Sequence, residues 1–231
     1  MHSLQQYAQA EFGATRVELR RSPAQHAVVS FYARQDAAIR IAASKASVAP
    51  ACKAGCAYCC YYKVEARAAE VLAIKNFALS RFSPAQLQAV IEQAQRNVSQ
   101  AKGLTHAEHL ATNQRCPFLQ ETRCSIYEVR PSKCRAFHAA DVEGCRASYE
   151  HPTDMTIQNS FIPEIFDAAN GVAEGFYAAL EHAGIDSTVY DLNSAFVEAI
   201  QNAAVSKRLN SGKKAFLSAT VVTVREDGAA H

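Results

Sequence analysis

The feature that most constrains this chain is the placement of its cysteines. All eight lie between Cys52 and Cys145, and the rest of the 231-residue chain has none. Cysteines that only filled a core as small apolar residues would be scattered over all the apolar stretches. They fall instead into two groups, first Cys52, Cys56, Cys59 and Cys60, and then Cys116, Cys124, Cys134 and Cys145. This clustering indicates that the thiols share a chemical task.

The segments that hold the cysteines, 49–62 and 114–151, show neither a helical nor a strand period of apolar residues. A stretch that cannot build its own apolar core needs another source of order, and metal coordination can supply it. Gly55 permits a sharp turn that would bring the thiols of the first group together. We therefore predict all eight cysteines as metal ligands.

The spacing of the cysteines bears on the identity of the metal. Zinc sites usually combine two C-x2–4-C pairs, and this chain has no second C-x2-C pair. Iron–sulfur clusters accept irregular spacing because their ligands bind different corners of a larger object. We therefore expect an iron–sulfur cluster, most readily 4Fe-4S, with a zinc or iron ion as the alternative. Eight ligands fit one site or two four-thiolate sites.

Disulfides are the main competing interpretation of the cysteines. The first residues lack a basic segment followed by an apolar one, and no apolar run reaches the ~20 residues needed to span a bilayer. These features predict a cytoplasmic protein, in which thiols stay reduced. The net charge of +2 gives no reason to expect nucleic acid or a membrane as a partner. The expected partner is the metal ion or cluster, with another protein as a further candidate.

Several other side chains lie near the cysteines in sequence. Cations lower thiol pKa values and offset the charge of a thiolate-bound centre, and six flank the second group: Arg115, Arg123, Arg130, Lys133, Arg135 and Arg146. The tyrosines beside the first group are expected to shield it from water: Tyr58, Tyr61 and Tyr62. Three histidines are nearby, but each is more simply a surface or hydrogen-bonded core residue: His106, His109 and His138. Glu65 and Glu70 are expected to face solvent from a helix.

The remaining sequence predicts helices, and the fold class is mainly α with at most a short β element. The tetrapeptide Ser-Pro-Ala-Gln occurs at Ser22 and Ser83, and each copy predicts a capped helix start. The first helix should extend to about Ser47, and another should cover Glu65 to Leu79. A clear apolar stripe from Ile165 to Leu180 should end at Gly184, and Asp191 should cap a shorter helix. We divide the chain into a helical segment 1–48, a cysteine-cluster domain 49–151 and a helical segment 152–231.

One strand is predicted near the end of the chain. Residues 218–224 are rich in β-branched side chains, which favour a strand. Its partner is expected at Val17 to Leu19. The tail from Gly228 to His231 should fray.

The cysteine motifs resemble those of a known family. Cys52-x3-Cys56-x2-Cys59-Cys60, Cys116-Pro-Phe-Leu and Cys124-Ser-Ile-Tyr-Glu-Val-Arg-Pro-Ser-Lys-Cys134-Arg are similar to the motifs of the YkgJ-type cysteine-cluster family of zinc- or iron-chelating domains. The resemblance implies that the first seven cysteines are ligands, with Cys145 matching less firmly.

A similar cysteine cluster occurs in flagellin lysine methylases, which resemble S-adenosylmethionine-dependent enzymes with an iron–sulfur cluster. No Gly-rich turn for a methyl donor accompanies the motifs in this chain. The resulting hypotheses are a redox, sensing or metal-handling protein, a structural zinc module that binds another protein, or a methylase-like enzyme.

Overall fold

The computed structural model describes residues 3–158 and 160–222. About 60% of the chain is helical, and the described residues form ten helices with only two small two-stranded sheets, so the predicted mainly α class is confirmed. The helices are α1 Leu4–Leu19, α2 Ala24–Ala43, α3 Ala68–Arg81, α4 Pro84–Ala101, α5 His106–Leu110, α6 Ser132–Ala136, α7 Val142–Glu150, α8 Pro163–His182, α9 Leu192–Gln201 and α10 Ala204–Asn210. The strands are β1 Glu65–Arg67, β2 Leu119–Gln120, β3 Arg123–Cys124 and β4 Val189–Asp191.

Helix α8 is the centre of the apolar core. The predicted stripe is its buried face, and the helix packs along α1 and α2. Phe176 of α8 stacks on Phe31 of α2 with ring centroids 4.1 Å apart, and both side chains are fully buried. The helix ends as predicted, since Gly184 follows it in the left-handed region at φ +67°.

Two glycines let α1 and α8 approach closely. A Cβ atom at Gly171 would lie 2.5 Å from the carbonyl oxygen of Leu4, and one at Gly175 would lie 2.3 Å from that of Ala8. Those distances are far inside van der Waals contact, so any larger residue would force the helices apart.

The two small strands that lead into helices form one sheet. β1 pairs antiparallel with β4, with Ala66 opposite Tyr190, and each strand continues directly into a helix, α3 or α9. The prediction of a helix from Glu65 is therefore wrong at its start, because residues 65–67 are used for pairing with β4. The cap of α9 is confirmed, since the Asp191 side chain accepts from the Ser194 N–H at 2.9 Å.

The two copies of Ser-Pro-Ala-Gln behave differently. Ser83 caps α4 as predicted, with a reciprocal hydrogen bond to Gln86. At the first copy the N-cap residue is Pro23, and no side chain caps α2, so that prediction is wrong. The Ser22 N–H donates to the Glu18 carbonyl at 3.0 Å, so the backbone of Ser22 is bound to the end of α1. Helix α2 also ends at Ala43, before the predicted end.

The prediction of a strand over 218–224 is correct only in part. Val221 forms an isolated bridge with Tyr190, and the Val222 N–H donates to the Val189 carbonyl at 2.9 Å. The partner is thus β4, whereas Val17 to Leu19 lie in α1 and were wrongly predicted as the partner. The remainder of this predicted strand and the tail from Gly228 lie outside the described residues.

The buried apolar residues form one cluster that draws on all three predicted segments of the chain. It includes Phe31 from the first, Phe118 from the second and Phe196 from the third. The division into segments itself remains a prediction. Among the described helices, none combines the length and hydropathy needed to cross a bilayer.

Candidate metal centre

Backbone hydrogen bonds join the two cysteine segments. The Gln114 N–H donates to the Tyr61 carbonyl and the Cys116 N–H to the Cys60 carbonyl, both at 2.8 Å. These contacts bring together residues that are more than 50 positions apart in sequence. The first group of cysteines therefore lies directly beside the beginning of the second.

The first group is built from a tight turn and a short 3-10 helix. The Cys56 N–H donates to the Lys53 carbonyl at 3.0 Å, and Gly55 takes φ +91° inside this turn. That backbone conformation is open to glycine and costly for other residues, so the role assigned to Gly55 is confirmed. The 3-10 helix Tyr58–Tyr61 follows and carries both Cys59 and Cys60, whose thiols share a hydrogen bond.

A β-hairpin positions the first two cysteines of the second group. β2 and β3 pair with Leu119 opposite Cys124, and the Leu119 N–H donates to the Cys116 carbonyl at 3.1 Å. Cys116 and Cys124 therefore lie on neighbouring turns of one compact unit. Cys134 follows on α6 and Cys145 on α7.

A separate set of contacts ties the segment 139–145 to the first group. The Ala51 N–H donates to the Ala139 carbonyl at 2.9 Å, and the Ala139 N–H donates in turn to the sulfur of Cys52 at 3.4 Å. The Tyr62 hydroxyl donates to the Cys145 carbonyl at 3.1 Å. Helix α7 is thus fixed against the first cysteine group rather than against the hairpin.

The thiols differ in exposure, and at six of them the surroundings disfavour the thiolate. Cys52 is exposed, Cys145 is buried and the other six are half-buried. Burial raises the pKa of Cys116 to about 12 and the pKa of Cys145 to about 11. Burial also raises the pKa of Cys52, Cys124 and Cys134, while the pKa of Cys59 is raised first by its bond with Cys60 and then by burial. A metal that binds here must therefore drive deprotonation itself.

Electrostatic effects between the thiols show that both groups lie in one neighbourhood. Charge on Cys59 would raise the pKa of three members of the second group, Cys116, Cys124 and Cys134. It would also raise the pKa of Cys52 and Cys145. Cys59 thus lies within electrostatic range of five other thiols.

The nearby cations divide into those that act on the thiols and those that do not. The charge of Arg130 opposes the rise in the pKa of Cys59, Cys124 and Cys134. Arg115 acts in the same way on Cys116, and Arg135 does so on Cys124. Arg123 and Lys133 are exposed, and Arg146 forms an exposed ion pair with Glu143 on α7.

The chemistry of the donors and one buried guanidinium nitrogen fit a thiolate-bound metal. Sulfur donors suit zinc, iron and iron–sulfur clusters. Arg130 has a buried Nη1 atom with no hydrogen-bond partner within the described residues, beside thiols that would become negative on binding metal. Within 3–158 and 160–222, no group of three or more His, Cys, Asp or Glu side chains stands in an arrangement that would hold a metal ion. The backbone therefore gathers the thiols, and binding would require their side chains to rotate; the eight-ligand set stays a prediction.

The three nearby histidines occupy different surroundings. His109 is buried and donates from Nε2 to Gln114 Oε1 at 3.0 Å, and His106 Nδ1 accepts from the Lys63 ammonium at 3.0 Å. His138 is different, because its buried Nδ1 has no hydrogen-bond partner among the described residues. Burial lowers the pKa of His138, which keeps the ring neutral.

Two tyrosines of the first group contact helix α7. The rings of Tyr58 and Tyr61 lie against the ring of Tyr149, with centroids 5.7 and 4.9 Å apart. Tyr149 was not singled out from the sequence, because nothing local relates it to residues about 90 positions earlier. The shielding role expected of the tyrosines beside the first group stays a prediction.

Glu70 was misjudged from the sequence. It was expected to face solvent, but it is fully buried and accepts hydrogen bonds from the hydroxyls of Tyr32 and Tyr177 at 3.1 and 3.2 Å. Its carboxylate also accepts from the backbone N–H groups of Arg67 and Ser132 at 2.9 and 2.8 Å. Since Ser132 begins the helix that carries Cys134, Glu70 connects the apolar core to the cysteine region. The sequence contained a signal for this burial, because the helix that carries Glu70 is apolar on several faces.

The fold and the site together define a helical scaffold that carries a thiol-rich, metal-chelating domain. Residues 51–159, slightly less than half of the chain, match the family model CxxCxxCC, described as "Putative zinc- or iron-chelating domain". This match covers the cysteine motifs, and the family resemblance drawn from them is confirmed. No curated protein and no solved structure matches the chain. The resemblance to flagellin lysine methylases remains a prediction.

Proposed function

We propose that the chain binds an iron–sulfur cluster, most readily 4Fe-4S, through thiolates of both cysteine groups. Its role would be redox, sensing or metal handling in the cytoplasm. Chelation of zinc or iron is what the family match supports directly. The iron–sulfur form and the cellular role go beyond that match and are our proposal.

The contact between the Cys60 carbonyl and the Cys116 N–H carries this proposal. It holds the ends of two cysteine segments side by side before any metal is considered. A binding site that is partly assembled by the fold loses less conformational entropy when the ligand arrives. Thiols on both sides of this contact can therefore reach one centre.

The surroundings favour a cluster over a lone zinc ion. The second group lacks the C-x2–4-C pairs that zinc sites usually use. Arg130 and Arg135 act on the thiols of this group, and cations of this kind offset the negative charge of a thiolate-bound cluster. Cys56, Cys59 and Cys60 are half-buried, and low exposure is one of the factors that set cluster potentials.

Purification without oxygen, followed by visible absorption and by iron, sulfide and zinc analysis, tests the proposal. We expect a brown protein with broad visible absorption and matching amounts of iron and sulfide. A colourless protein with stoichiometric zinc would reject the cluster and favour a structural zinc module. A protein that binds neither metal would reject metal binding altogether.

A further inference from the structure

Four basic residues cluster at the end of α10 and in the turn that follows it. We call this cluster the basic surface; it consists of Lys207, Arg208, Lys213 and Lys214. The three lysines are exposed and Arg208 is half-buried. The segment 202–222 contains no Asp or Glu, although the net charge of the whole chain is only +2. The basic surface is therefore a local concentration of positive charge that the overall composition does not reveal.

Part of this charge has a structural explanation. Lys207 and Arg208 lie in the last turn of α10, where cations complement the negative end of the helix macrodipole. That effect is confined to the last turn, whereas Lys213 and Lys214 lie beyond the C-cap residue Ser211. Helix stability therefore accounts for two of the four charges and leaves the other two unexplained.

The carboxylates that pack against the following residues do not neutralise the basic surface. Asp186 accepts the Ala215 N–H at 2.7 Å, and Glu198 accepts the three N–H groups of residues 217–219, each at 2.8 Å. Within the part of the chain that the structure describes, none of the four cations forms an ion pair with a carboxylate. Like charges that lie close together repel one another, and contact with an anionic partner would relieve this repulsion.

The backbone fixes the turn that carries the basic surface. The Lys213 N–H donates to the Arg208 carbonyl at 3.0 Å, and Arg208 Nε donates to the Lys214 carbonyl at 2.8 Å. Gly212 takes φ +67°, and a Cβ atom there would lie 3.0 Å from the Gly184 carbonyl oxygen. Because the backbone is already ordered, binding at this turn costs less conformational entropy than binding to a mobile segment.

One exposed apolar side chain follows the cations. Leu217 is 65% exposed and lies three residues after Lys214, whereas the neighbouring Phe216 is fully buried. An apolar contact with a polar rim is typical of protein–protein interfaces. Surfaces for single-stranded nucleic acid instead place aromatic rings among the cations, and helices that enter a bilayer surface keep an apolar face free. The large apolar residues of α10, Val205 and Leu209, are buried, so the chemistry of this surface favours a protein partner.

We propose that the basic surface and Leu217 together form a docking site for an acidic segment of a partner protein that also carries an apolar side chain. In this arrangement, carboxylates of the partner pair with Lys213 and Lys214, and its apolar side chain covers Leu217. Complementary charge of this kind speeds association and selects against partners of the same sign. The docking site uses none of the cysteines, so it is independent of the proposed function and is expected with or without bound metal.

Two fluorescent peptides of equal charge test the docking site on the full chain. Both carry the same number of glutamates, and one has leucines where the other has serines. Fluorescence anisotropy should show tighter binding of the leucine peptide, and binding of both should weaken as salt is added, because salt screens exposed charges. Lys213→Gln combined with Lys214→Gln should weaken binding about fivefold or more. These substitutions preserve the turn, because its hydrogen bonds use the backbone atoms of both residues.

The matched control is Arg20→Gln combined with Arg21→Gln. It removes the same charge from an exposed pair at the end of α1 and should leave peptide binding unchanged. Leu217→Ser should reduce the affinity for the leucine peptide to about that for the serine peptide, and thermal unfolding checks that each variant is folded. Equal weakening by the two double variants, or no binding of either peptide, would overturn the docking site.

Two further probes separate a protein partner from other anionic partners. These are a single-stranded oligonucleotide and vesicles that contain phosphatidylserine, each offered to the full chain at the same salt concentration. We expect both to bind more weakly than the leucine peptide. Tighter binding of either probe, lost in the variant of Lys213 and Lys214, would overturn the assignment to a protein partner.

Discussion

The thiol region, residues 49–62 and 114–151, and the helical scaffold formed by α1, α2, α3, α8 and α9 are ordered by different means. The scaffold is closed by apolar burial, with Phe31, Phe176 and Phe196 fully enclosed. The thiol region contributes few residues to that core, and no residue in 49–62 is fully buried. Its elements are also short, since most contain two to five residues.

This difference shows where a metal would matter. Burial of apolar surface stabilises by roughly 25 cal/mol per Å², so a region with little buried surface gains little from it. The second part of the thiol region is attached to the scaffold through buried Phe118 and Ile126 and through hydrogen bonds at α6, from Ser132 to Glu70, from Gln35 to Ser132 and from Arg135 to Asp36, whereas 49–62 lacks fully buried residues. We therefore expect the two regions to respond differently to the same perturbation.

Removal of metal should have the largest effect, and it should be confined to the thiol region. In structural zinc sites binding contributes ~10–16 kcal/mol, which is far more than the short elements here can supply. After chelation we expect amide exchange to accelerate more than tenfold in 49–62 and 114–151, with little change in α2 and α8. Hydrogen exchange with mass spectrometry measures both regions at once. Uniform acceleration across the chain would show that the regions are not separable.

Phe31→Ala should produce the reverse pattern. The ring is fully buried and stacked on Phe176, so its loss should cost ~3–5 kcal/mol in the free energy of unfolding. Denaturant unfolding measures this cost, and metal per folded chain should stay unchanged. Val29→Ala, at an exposed position of the same helix, is the control and should cost under ~0.5 kcal/mol.

Glu70→Gln should affect both regions, because this side chain joins them. An amide keeps one acceptor oxygen, but its N–H₂ group replaces the other oxygen and cannot accept a hydrogen bond. At least one buried donor therefore loses its partner. We expect a loss of ~2–3 kcal/mol and faster exchange of the Ser132 amide. Glu174→Gln, on an exposed position of α8, is the matched control. An unchanged Ser132 amide would mean that the carboxylate does not hold α6.

Acid should weaken the scaffold through Glu198. Burial alone would raise the pKa of this carboxyl, but the backbone N–H groups of Leu217, Ser218 and Ala219 hold the pKa below its usual value. A carboxyl whose pKa is lower in the folded state stabilises the protein at pH values above its unfolded-state pKa of ~4.3. This contribution is lost as the pH falls through the folded-state pKa. Glu198→Gln should cost ~1–2 kcal/mol at neutral pH and flatten the stability profile below about pH 5. Thermal unfolding from about pH 3 to about pH 7, where carboxyl groups titrate, measures this pH dependence of stability. An equally steep profile in the variant would contradict the role assigned to Glu198.

Arg146→Gln should have the smallest effect. Its ion pair with Glu143 is exposed on both sides, and such pairs contribute little to stability. We expect a change under ~0.5 kcal/mol and unaltered metal content, although the residue follows Cys145 directly. Metal analysis and thermal unfolding test this together. A clear loss of metal would show that Arg146 acts on the thiols after all.

Local signals in the sequence predicted much of the scaffold. The stripe on α8, its end at Gly184, the cap of α4 at Ser83 and the cap of α9 at Asp191 are all confirmed. Each depends on residues within a few positions of one another, so the sequence contains the whole signal. The cysteine motifs likewise identified the family through their spacing alone.

Tertiary structure was needed wherever a residue depends on a distant partner. Ser22 is followed by the same three residues as Ser83, yet its backbone N–H is bound to Glu18 of α1 and its side chain does not cap α2. The start of α3 was mispredicted because residues 65–67 pair with β4. Glu70 was assigned to solvent because its four donors come from α2, α6, α8 and the residue before α3.

The same division holds for the site. The amino-acid sequence by itself identified the eight thiols as candidate ligands, since thiols can be counted and their spacing measured along the chain. Only the folded chain decided which of them are neighbours, because the hydrogen bond between Cys60 and Cys116 and the contact between Cys52 and Ala139 close loops of more than 50 residues. Closing such loops costs entropy that no local motif supplies, and the packing of the whole scaffold offsets it.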